Sequence, residues 1–320
     1  MRKSIMTIDH RNDIWDVVVI GGGIAGLTAA QHCARRGLSV TLLEASAMVG
    51  GLVSTINALD DWPALSAVSG VALASSLADQ VRAAGVDITP KAALSLGLSA
   101  APGEPLHIAI DGKTLKARRI IVASGARLRN LEAPGSDRLR GKGVSQCADC
   151  DGGFFKGQDV VVVGGGDAAI QEALILARTS ATVHVVVRGA LRARHAYIDR
   201  ASNTGNIKFI WDSTVDAVLG SDAVSGVTLR NIKSGSASHL PCSAVFPFIG
   251  SRPNAEFLPA DIARDATGAV VTDAQLRTSL PAIYAVGAVR AGYCGDLLAA
   301  AGEAATAAAA IAREQSPQPL

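Results

Sequence analysis

Cys147-Ala-Asp-Cys150 is the segment of the chain best equipped for chemistry. Two thiols at this spacing can close a disulfide with little backbone movement, and beside a βαβ pattern they read as a redox-active pair. Asp151 follows directly and can move protons as thiolates form and break. A zinc site would need about four ligands, and no second pair at suitable spacing accompanies this one, so no metal is expected. Of the remaining cysteines, Cys33 and Cys242 read as core or surface residues. Cys294, in Tyr293-Cys-Gly-Asp296 before the last helix, reads more readily as a packed bystander than as a second redox thiol. The six histidines show no metal spacing, and only His195, next to an arginine cluster, is a candidate for a place near a ligand.

Two glycine clusters suggest a second kind of chemistry. Gly21-x-Gly23-x-x-Gly26 lies between an apolar strand and a helix, and Glu44 follows 18 residues after Gly26. The first glycine permits the tight turn, the second lets backbone approach a pyrophosphate, and the third lets helix and strand pack closely. Amides at the helix N-terminus then hold the phosphates, and Glu44 would accept hydrogen bonds from a ribose diol. Gly164-x-Gly166-x-x-Ala169 repeats the pattern, but the second strand there ends on Arg188, with Arg192 and Arg194 close behind. An arginine at that point can pair with a 2′-phosphate, which favours NADPH over NADH.

Both clusters need strand–helix–strand units to position them. Asp16–Ile20, a helix to Arg36 and Ser39–Leu43 form the first; Asp159–Val163, a helix to Arg178 and Thr182–Val187 form the second. Their 143-residue offset is too long for a solenoid and suits two nucleotide-binding domains. Val71–Ala84 reads as a helix, and Leu106–Ile110 and Arg119–Ala123 read as strands, with an Asp111-Gly112 turn between them. Ile207–Trp211, Val215–Leu219 and Val224–Leu229 read as a meander of short strands. A strand at Ala282–Val286, a glycine-rich loop and an alanine-rich helix close the chain, and Pro102, Pro105, Pro134, Pro247 and Pro253 punctuate connections.

Composition agrees with this scheme. At roughly 150 residues per domain, 320 residues make about two domains. The 49% apolar and 18% charged content argues for a large core and against disorder. A net charge of +2 and 4% aromatic residues argue against nucleic acid or an anionic membrane as partner. Polar residues from Asp9 to Asp13 interrupt any signal-peptide core, and no apolar run is long enough for a membrane span. A reducing cytoplasm is the expected location.

Taken together, the residues resemble the low-molecular-weight thioredoxin reductase family of flavoprotein disulfide reductases. The likeness runs from about Trp15 to Ala312 and includes the first glycine motif with Glu44, Gly50-Gly51 through Trp62-Pro63, Val122-Ala-Ser-Gly125, Cys147-Ala-Asp-Cys-Asp-Gly152, Gly164-Gly-Gly-Asp-Ala-Ala169 and Gln171-Glu-Ala-Leu174. It implies an α/β fold of two Rossmann-like domains, with an NADPH domain (126–246) that carries the dithiol inserted into a discontinuous FAD domain (14–125 and 247–320). FAD would be held at Gly21, Gly23, Gly26, Glu44, Gly51, Gly125 and Gly287. NADPH would be held at Gly164, Gly166, Asp167, Ala168, Arg188 and Arg192. The family passes a hydride from NADPH to FAD and then electrons to the disulfide, so Cys150 would face the flavin and Cys147 would attack the partner. The implied partner is a thioredoxin-like protein or small-molecule disulfide, and the implied assembly is a homodimer.

The chain departs from the family pattern at several points. Gly287-Ala288 stands where the family has Gly-Asp, Gly295-Asp296 where it has Arg-Gln, Leu52 where it has Gln and Asp61 where it has Asn. Val187-Arg188-Gly189 replaces a His-Arg-Arg phosphate clamp. These changes keep open a dithiol oxidase using oxygen, a reductase for a ferredoxin or oxygenase, and a non-enzymatic flavin-free role. Asp296 also reads simply as an N-cap of the last helix.

Overall fold

The computed structural model describes residues 14–59, 62–65, 68–98 and 103–315. Asp61, Pro102 and residues 1–13, with most of the segment read for a targeting signal, lie outside them. The chain divides into two compact units, one running to Arg127 and resuming at Arg252, the other spanning Leu128–Ser251.

The first unit is built around β1 (Ile14–Ile20), α1 (Ile24–Ala34) and β2 (Val40–Leu43). β1 and β2 run parallel, and the full burial of Val17, Val18 and Val19 explains their continuous apolar runs. α2 (Gly70–Ala83) and the short β3 (Asp87–Thr89) follow. β4 (Ala93–Gly97), β5 (Leu106–Ile110) and β6 (Lys113–Val122) form an antiparallel run joined to the parallel strands through β6. The β5–β6 turn falls at Asp111-Gly112, where the sequence places it. β6 is longer than the sequence pattern suggests because its alternating first half pairs with β5 and its apolar second half lies in the parallel core. β7 (Ala126–Leu128) leads out of this unit.

In the second unit, α3 (Ala148–Asp151) carries the dithiol. β8 (Asp159–Val163), α4 (Asp167–Leu176), β9 (Thr182–Val187), α5 (His195–Ser202) and β10 (Ile207–Trp211) form a βαβαβ run. β10 is therefore a parallel neighbour of β9 and not the first strand of a meander. The crossover through α5 places it in the parallel sheet, and short apolar runs look alike in the two settings. The antiparallel sheet comprises β11 (Ser213–Leu219), β12 (Gly226–Asn231) and β13 (Ala237–Pro241). β14 (Ala244–Pro247), buried throughout, completes the parallel order β10-β9-β8-β14.

The chain returns through β15 (Ser251–Pro253), which pairs with β7 in a two-stranded ribbon. β16 (Ile283–Ala285) then adds to β6 in parallel, and α6 (Leu297–Gln315) packs on α1. Alanines 300, 304, 307 and 308 of α6 and Ala29, Ala30 and Cys33 of α1 share one buried cluster, so small side chains allow the two helices to approach closely. No helix among the described residues is long and apolar enough to cross a membrane.

α2 has a conventional start: the Ser69 hydroxyl accepts a hydrogen bond from the Ala72 amide at 3.1 Å. Ser69→Ala should cost about 1 kcal/mol, measured as a lower urea midpoint with the circular dichroism spectrum of the native protein unchanged.

Candidate functional site

The C-terminal ends of four parallel strands in the first unit bring the first glycine motif together with the other expected flavin positions. Ile20 pairs with Leu43 and with Val122, and Val122 pairs with Ala285. Gly21, Glu44, Gly125 and Gly287 therefore lie just beyond one sheet edge, where open α/β sheets bind ligands. Gly50 joins them through its amide, which donates to the Gly22 carbonyl at 2.8 Å, and Gly51 follows it. Glu44 is held rigidly: one carboxylate oxygen accepts from the Gly22 amide at 2.6 Å and the other from the Ser46 amide at 2.7 Å.

Gly26 and Gly23 differ in what requires them. A Cβ on Gly26 would lie 1.7 Å from the Gly21 carbonyl oxygen, so the helix–strand contact excludes any side chain. A Cβ on Gly23 would meet nothing nearer than 3.8 Å. The fold itself does not demand glycine at 23, and the bare backbone leaves room at the start of α1. Gly23 is also the N-cap of α1 and supplies no side-chain cap, so first-turn amides stay available to an anion.

The second unit repeats this arrangement at the ends of β8 and β9. Gly166 is the N-cap of α4, again with no side-chain cap and nothing within 4 Å of an added Cβ. Ala169 is fully buried in third place, so this crossing accommodates one methyl group. Arg188 and Arg192 are exposed, and the Arg192 amide donates to the Gly165 carbonyl at 2.7 Å. Arg194 is engaged elsewhere: its guanidinium pairs with the Asp167 carboxylate at 3.3 Å and its amide donates to the same carboxylate at 2.6 Å. Asp167 thus orders the loop after β9, with Ala168 exposed beside it. His195 begins α5 and meets Asp199 through Nδ1 at 2.9 Å.

Cys147 and Cys150 are joined in a disulfide with Cα atoms 5.3 Å apart. Cys147 is the N-cap of α3, and its Sγ accepts from the Cys150 amide at 3.1 Å. Cys150 is exposed. Asp151 donates its amide to the Cys147 carbonyl and lines a cavity of about 220 Å³ with Arg140, Ser145 and Gln146. Glu172, on α4, accepts from the Ala148 amide at 2.7 Å. Burial pushes its carboxyl up to about 7; the Ala148 amide opposes that rise and the Asp149 carboxylate adds to it.

Several positions have structural explanations. The Asp296 carboxylate accepts from the Leu298 amide at 2.8 Å and the Ala299 amide at 3.3 Å, so it caps α6. Cys33 and Cys242 are buried thiols, each pushed up to about 12 by desolvation, whereas Cys294 is exposed. Leu52 is half-exposed. Two acids have roles that residue spacing did not reveal. Glu303 accepts from the Gly287 amide at 2.7 Å and pairs with Arg290, bracing the turn that contains Ala288. Glu172 figures in the sequence only within the Gln171-Glu-Ala-Leu174 stretch of the resemblance, with no role attached to it.

Two uncapped glycine turns, with a dithiol on the unit that carries the second, define a dinucleotide-dependent disulfide oxidoreductase. The family of pyridine nucleotide-disulphide oxidoreductases matches residues 15–313, and the chain belongs to it. The thioredoxin reductase of Treponema pallidum (strain Nichols) is 38% identical over 300 residues, covering 93% of this chain and 96% of that protein. The Streptomyces coelicolor thioredoxin reductase is 35% identical over 301 residues, covering 93% and 92%. The solved thioredoxin reductase of Lactococcus lactis, in its FR conformation, matches with a TM-score of 0.89 at 33% identity, covering 93% of this chain and 98% of that one. The chain is a low-molecular-weight, thioredoxin reductase-like member, a flavoprotein disulfide reductase with FAD and NADPH as cofactors. The open, uncapped helix starts at Gly23 and Gly166 fit both dinucleotides.

Gly23→Ala separates fold from cofactor. The added methyl has space within the protein, so the thermal midpoint of flavin-stripped protein should match the wild type. Flavin retained after desalting should fall at least about tenfold, from losing roughly 1.4 kcal/mol or more of phosphate binding.

Proposed function

We propose that this chain is an NADPH-dependent reductase of a thioredoxin-like protein disulfide, working as a cytoplasmic homodimer. The observation that carries the reading is the closed Cys147–Cys150 pair on the same unit as the second glycine turn with Arg188 and Arg192. The bound flavin supplies two-electron transfer between a nicotinamide and a disulfide. In this reading the first unit is the FAD domain and the second the NADPH domain. Gly21, Gly23, Gly26, Glu44, Gly51, Gly125 and Gly287 hold FAD; Gly164, Gly166 and Ala168 contact NADPH, and Arg188 and Arg192 grip its 2′-phosphate. Asp167 acts mainly by fixing Arg194 and the loop that presents Arg192.

Within the dithiol, the Cys150 amide that bonds to Cys147 Sγ stabilises negative charge there, which supports Cys147 as the attacking sulfur. Asp151 lines a cavity wide enough for water and moves protons between the dithiol and solvent. A protein partner is supported by Phe154, which is 78% exposed four residues after Cys150. Its neighbour Phe155 is anchored edge-on against Phe246, with ring centroids 6.0 Å apart. An exposed aromatic on an anchored segment is a suitable contact for a partner surface.

The test is an anaerobic titration with NADPH and then NADH, followed by flavin absorbance. Micromolar NADPH should bleach the flavin, NADH should do so only at much higher concentration, and Cys150→Ser should abolish disulfide turnover. Flavin that bleaches with a small dithiol but not with NADPH would assign the oxidase reaction instead; undiminished turnover in Cys150→Ser would overturn the dithiol route. Phe154→Ala should raise KM for oxidised thioredoxin about tenfold while leaving turnover of an aromatic small-molecule disulfide unchanged.

A further inference from the structure

α3 is a single turn, and two side chains accept from its N-terminal amides. Cys147 Sγ accepts from the Cys150 amide at 3.1 Å, and Glu172 accepts from the Ala148 amide at 2.7 Å. In the disulfide state Glu172 is the one of these two acceptors that can carry negative charge, beside the Asp149 and Asp151 carboxylates of α3 itself. Once the disulfide is reduced, a Cys147 thiolate would be a second anion bonded to the same short segment. Like charges this close oppose each other's ionisation, and the sites then titrate as a pair.

We propose that Glu172 is a positioning residue that controls the charge of the reduced Cys147: the two groups share one proton, so the thiolate forms most readily when Glu172 is protonated. The inference rests on the reading of Cys147 and Cys150 as the working dithiol. Two electrons break the Sγ–Sγ bond, and two protons give two thiols. The further step is a balanced transfer in which the Cys147 thiol and the Glu172 carboxylate become a thiolate and a carboxylic acid. The protonated Glu172 still has an oxygen free to accept from the Ala148 amide, so α3 keeps its anchor in both states.

The surroundings of Glu172 favour this exchange. Burial already pushes its carboxyl up to about 7, so a proton is available in the physiological range. α3, α5, β8 and β9 pack against α4. Their titratable groups are Asp149, Asp151 and the two cysteines on α3, His195, Asp199 and Arg200 with Tyr197 on α5, Asp159 on β8 and His184 on β9. Tyr197 bonds to Gln171, His195 to Asp199, and His184 is held neutral-leaning by burial. The charge that adds to the field at Glu172 is that of Asp149, which also favours a protonated carboxyl.

The experiment measures the rate at which iodoacetamide alkylates Cys147 as a function of pH. It uses the FAD-loaded Cys150→Ser protein under anaerobic conditions, with the Cys147 peptide quantified by mass spectrometry so that exposed Cys294 does not interfere. With Glu172 intact, the profile should be broader than a single titration. Adding Glu172→Gln, which keeps an oxygen for the Ala148 amide but removes the charge, should make the profile a single titration with its midpoint lower by about one pH unit. Glu172→Asp should restore the broad profile. An unchanged midpoint in Glu172→Gln, an upward shift, or a single sharp titration with Glu172 intact would overturn the proposal. Alkylation needs neither NADPH nor a disulfide partner, so failure of thioredoxin reduction would leave this result standing.

Discussion

The arrangement depends first on the contact between the start of α1 and the end of β1, where Gly26 rests against the Gly21 carbonyl with no space for a methyl group. That contact fixes the start of the helix against the strand end, with its first-turn amides free of a side-chain cap. Glu44, Gly125 and Gly287 are then brought there by strand register alone. The second unit meets the same requirement less tightly, since Ala169 fits where Gly26 cannot be replaced. Its tight point is the first glycine, where a Cβ on Gly164 would lie 2.3 Å from the Phe248 carbonyl oxygen.

Helix starts differ in what satisfies their first amides. α2 and α6 are capped by Ser69 and Asp296, side chains that satisfy their amides. α1 and α4 are left uncapped and open, as anion binding requires. α3 follows a third pattern, in which the capping atoms are a sulfur and a carboxylate whose charges change with redox state and pH. The same backbone feature is thus closed by a side chain, left open, or shared by a sulfur and a carboxylate, according to what occupies the first turn.

Much of this was legible in the sequence because it is local. The two strand–glycine–helix units, the dithiol, the Asp111-Gly112 turn and the Asp296 cap each lie within a short window. Strands β8, β9, β5 and β10 fall on the residues their apolar patterns indicate. The partner of β10 was not legible, because a short apolar strand looks the same whether it pairs in parallel with β9 or opens a meander. Arg194 read as a member of the phosphate pocket because its charge is visible, but its attachment to Asp167, 27 residues away, is not. Glu172 and Glu303 were hidden for the same reason: their importance lies in backbone amides distant in sequence, which no spacing rule encodes.

One edge of β6 is shared between β5 and β16, while β1 lies along the other, and this has a consequence for how the chain is made. Its first half is matched by β5 from earlier in the sequence, but its second half waits for β16, which begins at Ile283. Synthesis proceeds from the N-terminus, so the first unit's sheet lacks a strand while all of Leu128–Ser251 emerges. The inserted unit, complete in one stretch, can close its parallel sheet on the ribosome before its host does. Until then the buried half of β6 presents an open apolar edge, and holding it soluble falls to chaperones or to the rapid arrival of the last segment.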